Sequence, residues 1–493
     1  MNPDLHFWVL LGLPLTLAVV GWLLPAPRQV LGLLVAGGAA QAALAWALAA
    51  RVWRDGPLLG AAGWFHLDAL SALHLSALAL VYLLSGLYAW VYFGVELAGG
   101  RLRRWHTRRL GALWFGALLA MTLVLLANNI GILWVGIEGT TLLTAFLICL
   151  HRGQESLEAT WKYLLICSVG IAFAFMGTLL LGAAGQHWHL PAAELLKWTT
   201  LRAEAARLDP TLTRLAFLFL LVGYGTKTGL VPLHNWLPDA HSQSPAPVSA
   251  LFSGFMLNTA LYCLMRFLPL VEGATGHQGW SQRLLIFFGL LSVLVSAVFV
   301  LFQHDVKRLL AYSSVEHLGI MALGLGLGGL GVFAALFHLV NHALGKPLAF
   351  FAAGRVGQIY GTHDMSRLGG ASHAAPWWGR ALLGAVLALM GAAPFAFFLS
   401  KFLVLRAAAE RGSWLVLGLL LAGTATVFVG ALRHLINISW GEAKPTVQPE
   451  AAGWLERALI LGLLGVLLVL GVWMPPALAA VLTQAAGIVE ARP

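Results

Sequence analysis

Six ionisable side chains lie inside strongly apolar stretches of the sequence: Glu138, Lys227, His338, His342, Lys346 and Lys401. A charged side chain at the centre of a bilayer costs about 2.5–3.5 kcal/mol on insertion scales, so such residues usually serve ion binding or ion movement. Carboxyl, imidazole and amine groups exchange protons when a neighbouring charge or the local hydration changes. The sequence therefore predicts a proton path through a membrane.

Glu138 lies near the centre of the apolar stretch LWVGIEGTTLLTAFL, with no other charged residue within ten positions on either side. One interpretation is a protonated carboxyl group that only hydrogen-bonds a neighbouring helix. Lys227 could similarly extend its ammonium group to the membrane surface. The interpretation we favour pairs the two, because pairing lowers the cost of burying both charges. Movement of Glu138 relative to Lys227 would then make the pair take up or release a proton.

His338, His342 and Lys346 are spaced in steps of four within LFHLVNHALGKPLAFF. This spacing places them in a stripe along one helix face, about 12 Å long at 1.5 Å per residue. The H-x-x-x-H pair could ligate a metal, but no acidic or cysteine ligand is near in sequence and a lysine follows. Structural hydrogen bonding is a second alternative. The stripe favours a proton relay.

Two apolar segments are interrupted, one between Gly229 and Pro232 and the other between Gly391 and Pro394. Each has a lysine close to its break, Lys227 in the first and Lys401 in the second. Lys401 lies nearer the end of its segment and could also reach the interface. Paired broken helices in two halves of a chain indicate inverted repeats and a transport site near the midplane.

Other polar residues near these segments have two interpretations. His234, Asp239 and His241 follow the first break, where they could line an access path or only cap and orient the half-helix. Glu316 and His317 are adjacent and point in different directions on a helix, so only one should face a given channel. Caps and interface anchors are the expected roles of three residues at segment ends: Asp68, Asp305 and Lys307.

Composition places the whole chain in a membrane. Of 493 residues, 59% are hydrophobic and 10% are charged, and the mean hydropathy is +0.82, whereas soluble domains carry about 25% charged residues. The three cysteines are isolated in apolar segments, so bound Fe–S or haem is not expected in this chain. The net charge of +10 does not indicate nucleic acid, because in a membrane protein the distribution of Lys and Arg sets the orientation.

Apolar periodicity predicts fourteen segments and no soluble domain: 6–24, 29–50, 69–95, 110–127, 129–151, 162–184, 213–243 (broken), 246–269, 283–303, 306–327, 329–353, 379–408 (broken), 414–438 and 454–475. The arginine-rich loop 101–109 is expected in the cytoplasm, which places both termini in the periplasm. Four regions follow: a three-helix segment with the basic loop (1–109), two five-helix units (110–269 and 270–438) and a C-terminal helix (439–493).

The acidic residues repeat the pattern of the breaks. Glu138 lies two segments before the first broken one, and Glu316 lies two segments before the second. Segments 4–8 and 9–13 therefore look like two copies of one unit, and an odd number of helices makes the copies inverted. The predicted fold is an all-α polytopic membrane protein with about fourteen transmembrane helices, in which segments 7 and 12 are broken.

Three stretches resemble the antiporter-like, proton-conducting membrane subunits shared by respiratory complex I, membrane-bound hydrogenases and Mrp-type cation/proton antiporters. They are TKTGLVPLHNWLPDAHSQSPAPVSALFSGF, DVKRLLAYSSVEHLGIM and FHLVNHALGKPLAFF. Within that family, IEGTTLLTAFLICLHR, SLEATWKYLLICSVGIAF and SVEHLGIM are most similar to the F component of hydrogenase-4-type complexes.

The resemblance implies a role for each candidate: Glu138 and Lys227 as the family's glutamate–lysine pair, His338, His342 and Lys346 as the internal relay, and Lys401 as the terminal lysine toward the periplasm. It also implies that Ni-Fe centres, Fe-S centres or quinone are bound only by partner subunits. The chain departs from the family in the eighth segment, where Ser253 and Asn258 replace a histidine or lysine. The central link must then run through water held by these residues, or through His338 and its neighbours.

The expected function is that of a proton-translocating membrane subunit of a redox-driven complex in the bacterial inner membrane, moving protons from cytoplasm to periplasm. The complex would be a hydrogenase-4-like [NiFe]-hydrogenase or a complex I-like oxidoreductase, with membrane and cytoplasmic partner subunits. One alternative is a sodium/proton antiporter subunit, for which Asp239 is the sole candidate carboxylate in the break. The other is a membrane anchor that has lost conduction, as Ser253 and Asn258 would allow.

Overall fold

Long apolar helices account for most of the chain, because a backbone in lipid must satisfy its own hydrogen bonds. The structure, a computed structural model, describes residues 3–188, 190–442 and 452–490. In chain order the α-helices are α1 Pro3–Leu23, α2 Pro27–Asp55, α3 Ala69–Ala98, α4 Arg104–Leu126, α5 Ile130–Ile148, α6 Gln154–Ala184, α7 Ala192–Leu195, α8 Trp198–Ala203, α9 Pro210–Thr228, α10 Trp236–Gln243, α11 Ala246–Leu251, α12 Leu257–Ala274, α13 Trp280–Leu301, α14 Val306–Leu327, α15 Leu330–Tyr360, α16 Ala371–Ala374, α17 Pro376–Met390, α18 Ala396–Glu410, α19 Trp414–Trp440, α20 Trp454–Val472 and α21 Pro476–Val489.

Every predicted apolar segment contains a helix. Within the described ranges, eleven helical stretches are long and apolar enough by themselves to cross a membrane. The seventh predicted segment consists of α9 and α10, and the twelfth consists of α17 and α18. The eighth is α11 and α12, joined by a π-helical turn at Phe252–Met256. The prediction of an all-α polytopic membrane protein is confirmed.

The two breaks have the same local construction. Gly229 ends α9 with φ of 88° and Gly391 ends α17 with φ of 83°, a left-handed conformation that favours glycine. A proline follows three positions later in both, after a cis peptide bond, at Val231–Pro232 and Ala393–Pro394. The shared Gly-x-x-Pro construction agrees with the prediction that segments 7 and 12 are equivalent members of two repeats.

Burial separates central from peripheral helices. Almost all residues of α11, α12, α14 and α15 are buried, whereas α1, α6, α13, α19 and α20 expose many large apolar side chains. The central helices also carry many of the buried polar residues of the second half of the chain, and Ser400 and Lys401 on α18 are buried as well. Any polar path must therefore run through the interior of the helix bundle, shielded from lipid.

Some elements lie outside the predicted set. A short antiparallel hairpin pairs β1, Leu58–Gly60, with β2, Phe65–Leu67, and the short helices α7 and α8 precede the first broken segment. The helix α21 follows the last predicted segment and packs against α3 and α15. The strands and the short helices α7 and α8 have few residues, so periodicity alone gives them little signal, whereas α21 has 14 residues and is shorter than a full membrane span.

A buried ion pair ties the start of α3 to α12. Arg266 donates to both carboxylate oxygens of Asp68, with Nη1 to Oδ2 at 2.5 Å and Nη2 to Oδ1 at 2.7 Å. Asp68 also accepts the Ser71 backbone N–H at 3.0 Å, which confirms the predicted cap. The guanidinium lies 4.6 Å from the Trp198 ring centroid and 4.9 Å from that of Tyr262. Although burial opposes ionisation, Arg266 holds the pKa of Asp68 well below its usual range.

The other two predicted caps also have clear partners. Asp305 accepts the backbone N–H groups of Lys307 at 2.8 Å and Arg308 at 2.9 Å, which caps α14. The buried ammonium group of Lys307 donates to the Ser242 carbonyl at 2.8 Å and to the Ser244 carbonyl. It thereby satisfies free carbonyls at the C-terminal end of α10.

The substitution Asp68→Asn removes the counter-charge of a buried guanidinium. We expect the free energy of unfolding to fall by about 3–5 kcal/mol, because Arg266 is left buried and unpaired. The measurement is the thermal-unfolding midpoint of the purified full chain in detergent. The control Glu204→Gln removes a carboxylate from an exposed pair with Arg207, 2.8 Å apart, and should cost less than about 1 kcal/mol. Equal shifts of the midpoint in both variants would contradict the role assigned to Asp68.

Candidate functional site

Lys227 is completely buried at the end of α9, so it does not extend to the membrane surface. Its ammonium group donates to Thr141 Oγ1 of α5 at 3.0 Å and to the Tyr163 hydroxyl of α6. It also lies 4.5 Å from the Tyr163 ring centroid. Tyr163 in turn bonds Thr144 Oγ1 at 2.5 Å. The buried ammonium group therefore faces neutral hydroxyl groups and an aromatic ring.

Glu138 lies on α5, one helical turn before Thr141, and is half-buried. Its Oε1 accepts the Ser168 hydroxyl at 3.2 Å, and Oε2 has no hydrogen-bond partner. Among the described residues, no ion pair within 4 Å joins Glu138 to Lys227, so the predicted pair is not a direct contact in this structure. Val135 and Leu142 on the same face of α5 are 53% and 52% exposed. Glu138 therefore lies at the outer edge of the bundle with its unpartnered oxygen buried, close enough to the surface for an adjacent charge to influence it.

The first break brings Asp239 to the edge of a polar cavity of about 540 Å³. Its carboxylate binds the Arg308 guanidinium and accepts from Lys162 Nζ at 3.2 Å. Glu155, Glu158 and Ser242 also line this cavity. Two cationic side chains, Arg308 and Lys162, already bind the Asp239 carboxylate, so it is poorly suited to binding a metal cation.

The histidines of the break lie deeper than Asp239. His241 is completely buried and stacks on Phe350 of α15, with ring centroids 5.4 Å apart. Within the part of the chain that the structure describes, neither ring nitrogen of His241 has a hydrogen-bond partner. His234 is also buried and meets the rings of Phe299 and Tyr312 edge-on. Neither histidine contacts Lys227 through a hydrogen bond in the described residues.

Ser253 and Asn258 connect the eighth segment to the second half of the chain. The hydroxyl groups of Ser253 and Ser314 are 2.7 Å apart, and Asn258 Nδ2 is 3.4 Å from His342 Nδ1. Ser253 lies in the π-helical turn, a distortion that is frequent at functional sites. On the side facing Lys227, the π-helical turn contacts the Tyr163 hydroxyl, which binds Lys227 and lies 3.9 Å from the sulfur of Met256. This stretch is the weakest connection in the series.

The predicted histidine–lysine stripe is buried inside the bundle. Lys346 donates to the Leu310 carbonyl at 2.9 Å and to the Ser313 hydroxyl. His338 Nε2 lies 2.9 Å from His317 Nδ1, and His338 Nδ1 lies 2.9 Å from Ser400 Oγ. The ring centroids of His317 and His342 are 5.6 Å apart. His317 therefore links the two predicted histidines, a role that the sequence analysis did not assign to it.

Lys401 forms a direct ion pair with Glu316, with Nζ and Oε1 2.8 Å apart and both side chains buried. Its ammonium group also donates to the carbonyl of Met390, the last residue of α17, at 3.3 Å. The break therefore supplies an oxygen partner to the buried lysine. Glu316 and His317 both take part in the series, because each contacts a different neighbouring helix.

A small cavity connects the stripe to this ion pair. Its volume is about 10 Å³, and Ser313, Glu316, His317 and Met390 are among its lining residues. That volume holds roughly one water molecule. A water there would lie next to both Ser313, which binds Lys346, and Glu316, which binds Lys401.

Metal binding has no structural support in the described residues. No group of three or more His, Cys, Asp or Glu side chains in ranges 3–188, 190–442 and 452–490 is arranged to hold a metal ion. His338 and His342 instead contact His317, Ser400 and Asn258. The arrangement favours proton transfer between hydrogen-bonded side chains.

Comparisons with known proteins cover most of the chain. A family profile described as NADH:quinone oxidoreductase/Mrp antiporter, TM matches residues 127–428. The hydrogenase-4 component F homolog of Methylacidiphilum infernorum is 38% identical over 416 residues, which is 84% of this chain and 86% of that protein. A chain of the archaeal membrane-bound sulfane sulfur reductase superposes with a TM-score of 0.86 at 26% identity, covering 98% of this chain and 97% of that one. A chain of Thermus thermophilus respiratory complex I gives a TM-score of 0.76 at 27% identity, covering 94% and 96%.

The substitution Ser253→Ala removes the hydroxyl group that joins the eighth segment to Ser314. We expect proton movement through the chain to slow by about fivefold to tenfold, as loss of one hydrogen bond of about 1–1.5 kcal/mol implies. The measurement is the initial rate of proton uptake into liposomes containing the assembled complex. Ser296→Ala is the matched control, because this buried hydroxyl donates only to the Val293 carbonyl, at 2.9 Å. An unchanged rate in Ser253→Ala would exclude Ser253 from the path.

Proposed function

We propose, since this chain belongs to the NADH:quinone oxidoreductase/Mrp antiporter family of membrane proteins, that it moves protons from the cytoplasm to the periplasm. It is an antiporter-like membrane subunit of the type found in complex I, hydrogenase and Mrp complexes. The observation that carries the proposal is the series of buried polar groups between Lys227 and Lys401. Charged groups at this depth are costly to bury, so they usually mark a path for ions or protons.

The proposed route begins at the polar cavity beside Asp239, from which a proton reaches Lys227. From Lys227 it passes through the Tyr163 hydroxyl and water to Ser253 and Ser314. Ser313 lies next to Ser314 and binds Lys346. This portion of the route crosses from the first repeat to the second.

Two connections lead to the terminal lysine, the first from Lys346 and the second from His342. One runs through Ser313 and the small cavity to Glu316, which binds Lys401. The other runs from His342 through His317 and His338 to Ser400, the residue before Lys401. Lys401 then releases the proton toward the periplasm. His234 and His241 border the route near the break, and Asn258 holds His342 in place.

Loading of Lys227 is proposed to depend on Glu138. A lysine that faces only hydroxyl groups holds its proton less tightly than one that faces a carboxylate. Two unit charges 4 Å apart interact by about 4 kcal/mol at an effective dielectric constant of 20. Glu138 acts on Lys227 from beyond contact distance, so its influence is smaller and can be changed by a charge on its outward side. A neighbouring subunit that moves such a charge would control proton uptake.

The driving reaction is proposed to occur in partner subunits of a redox complex. The 38% identity to a hydrogenase-4 component F homolog supports a hydrogenase-4-like or related complex I-like assembly. Ni-Fe centres, Fe-S centres or quinone would be bound by those partners. The proposed location is the bacterial inner membrane, with both termini periplasmic and the arginine-rich loop 101–109 cytoplasmic.

The sodium alternative has less support from the site. Asp239, the carboxylate that a dehydrated sodium ion would need, is bound by Arg308 and Lys162. A purely anchoring role would leave the series of buried polar groups from Ser253 to Lys401 without a function. Both observations favour proton translocation.

Glu138→Gln and Lys227→Ala should each reduce redox-driven proton pumping by the assembled complex at least tenfold. The first substitution removes the controlling charge, and the second removes the loading site. The measurement is acidification of liposomes that contain the complex, normalised to its redox turnover. Lys197→Ala is the control, because this lysine pairs with Glu194 at 2.6 Å outside the path. Unchanged pumping in both path variants would refute the proposal.

Replacement of all sodium by choline should leave the pumping rate of the intact complex within about twofold of its original value. The physical reason is that the path offers no free carboxylate cluster for a dehydrated cation. The measurement is the same liposome assay with matched ionic strength. Loss of pumping without sodium would favour the antiporter alternative.

A further inference from the structure

A lateral cavity of about 520 Å³ lies between the end of α5 and the start of α6. Its lining combines two arginines with apolar side chains, and we refer to it as the α5–α6 cavity. Arg109, Arg152, Phe146, Cys149 and Leu157 are among the lining residues. Phe146 is 46% exposed and Leu157 is 54% exposed. The cavity is therefore open on the outer face of the bundle.

Within residues 3–188, 190–442 and 452–490, neither guanidinium group has an acidic side chain as an ion-pair partner. Arg109 lies 5.3 Å from the Phe146 ring centroid, and its hydrogen bond is to the Cys149 sulfur at 3.8 Å, a weak acceptor. Arg152 is exposed and, within the described ranges, makes neither a hydrogen bond nor an ion pair. The neighbouring Arg108 differs, because it donates to the Leu24 carbonyl at 3.0 Å.

The acidic residues of this region face elsewhere. Glu155 and Glu158 at the start of α6 line the polar cavity beside Asp239, and neither lines the α5–α6 cavity. Two positive charges in a recess without a carboxylate favour an external anion. Guanidinium groups match phosphate well, because they donate two hydrogen bonds in parallel.

An apolar strip continues from this cavity into the membrane. On α6, Leu157, Trp161 and Leu165 follow each other at steps of four and are all exposed, so they form one strip about 12 Å long. On α5, Leu142 and Phe146 are exposed beside it. A ligand that fits both features needs an anionic head and an apolar tail.

We propose that the α5–α6 cavity binds an anionic phospholipid, with its phosphate between Arg109 and Arg152 and an acyl chain along Leu157, Trp161 and Leu165. The arginine-rich stretch 101–109 covers the start of α4, so the lipid belongs to the leaflet on that side, which the proposed topology makes cytoplasmic. Anionic lipids of that leaflet attract basic residues, at about 1 kcal/mol for each Lys or Arg near the surface. A zwitterionic lipid lacks the net charge that the two arginines require.

The lipid would also lie on the face that exposes Glu138. Phe146 and Glu138 are eight residues apart on α5, a separation of about 12 Å along the helix axis. An acyl chain extending that far would exclude water from the outward side of Glu138. The site does not depend on proton transport, so its test and that of the proposed function can fail separately.

The test is lipid retention by the purified full chain in native mass spectrometry, with added dioleoylphosphatidylglycerol or dioleoylphosphatidylcholine. Wild type should retain one phosphatidylglycerol at least about tenfold more strongly than phosphatidylcholine. The double variant Arg109→Gln/Arg152→Gln should lose this preference. The control Arg101→Gln/Arg103→Gln removes the same charge from residues outside the cavity and should keep it. Equal retention in the two double variants would overturn the proposal.

Two further measurements test whether the double variant loses lipid only because it misfolds, and whether a different molecule occupies the α5–α6 cavity. Arg152→Gln alone changes an exposed residue, so it should fold normally and weaken phosphatidylglycerol retention by about fivefold, as loss of about 1 kcal/mol implies. A density map of the assembled complex in phosphatidylglycerol nanodiscs should show a lipid headgroup between Arg109 and Arg152. An acidic segment of another subunit in that position would also overturn the proposal.

Discussion

An ammonium group buried in a bilayer needs oxygen partners, and most of this structure can be understood from how it supplies them. Lys227 is bound by two hydroxyl groups, Lys346 by a carbonyl and a hydroxyl, and Lys401 by a carboxylate and a carbonyl. A regular helix offers no free carbonyl in its interior. The break after Met390 does, and that carbonyl binds Lys401. The break thus lowers the cost of burying Lys401, whereas Lys227 and Lys346 obtain their oxygen partners from unbroken helices.

The two halves place the same residue types in different electrostatic situations. In the second half, Glu316 and Lys401 are in direct contact. In the first half, Glu138 and Lys227 are not, and one carboxylate oxygen of Glu138 is buried without a hydrogen-bond partner in the described residues. A contacting pair stabilises the protonated lysine, whereas separation favours proton release. One chain therefore holds a separated pair and a contacting pair of the same residue types.

Sequence reasoning located the segments and the buried charges well, because hydropathy and helix periodicity are local properties. It predicted both breaks, because a glycine at the end of a helix and a proline three positions later both favour helix termination. It did not find Tyr163 and Ser313 as partners of the buried lysines, or Ser314 as the partner of Ser253. Their roles depend on which helices become neighbours, and hydropathy contains no such information. His317 was left without a role for the same reason, although it follows Glu316 directly. The pair between Asp68 and Arg266 joins residues 198 positions apart, a distance that no local pattern bridges.

We propose that one continuous route joins Lys227 to Lys401. At the centre of the eighth segment this route has only the non-ionisable side chains of Ser253 and Asn258. The weakest part lies between the Tyr163 hydroxyl and Ser253, next to Met256. The most direct test is a density map of the assembled complex in lipid at a resolution that shows ordered water. The map should show water molecules that bridge Tyr163 to Ser253 and continue past Ser314 to Lys346. A dry apolar gap around Met256 and Ser253 would contradict it.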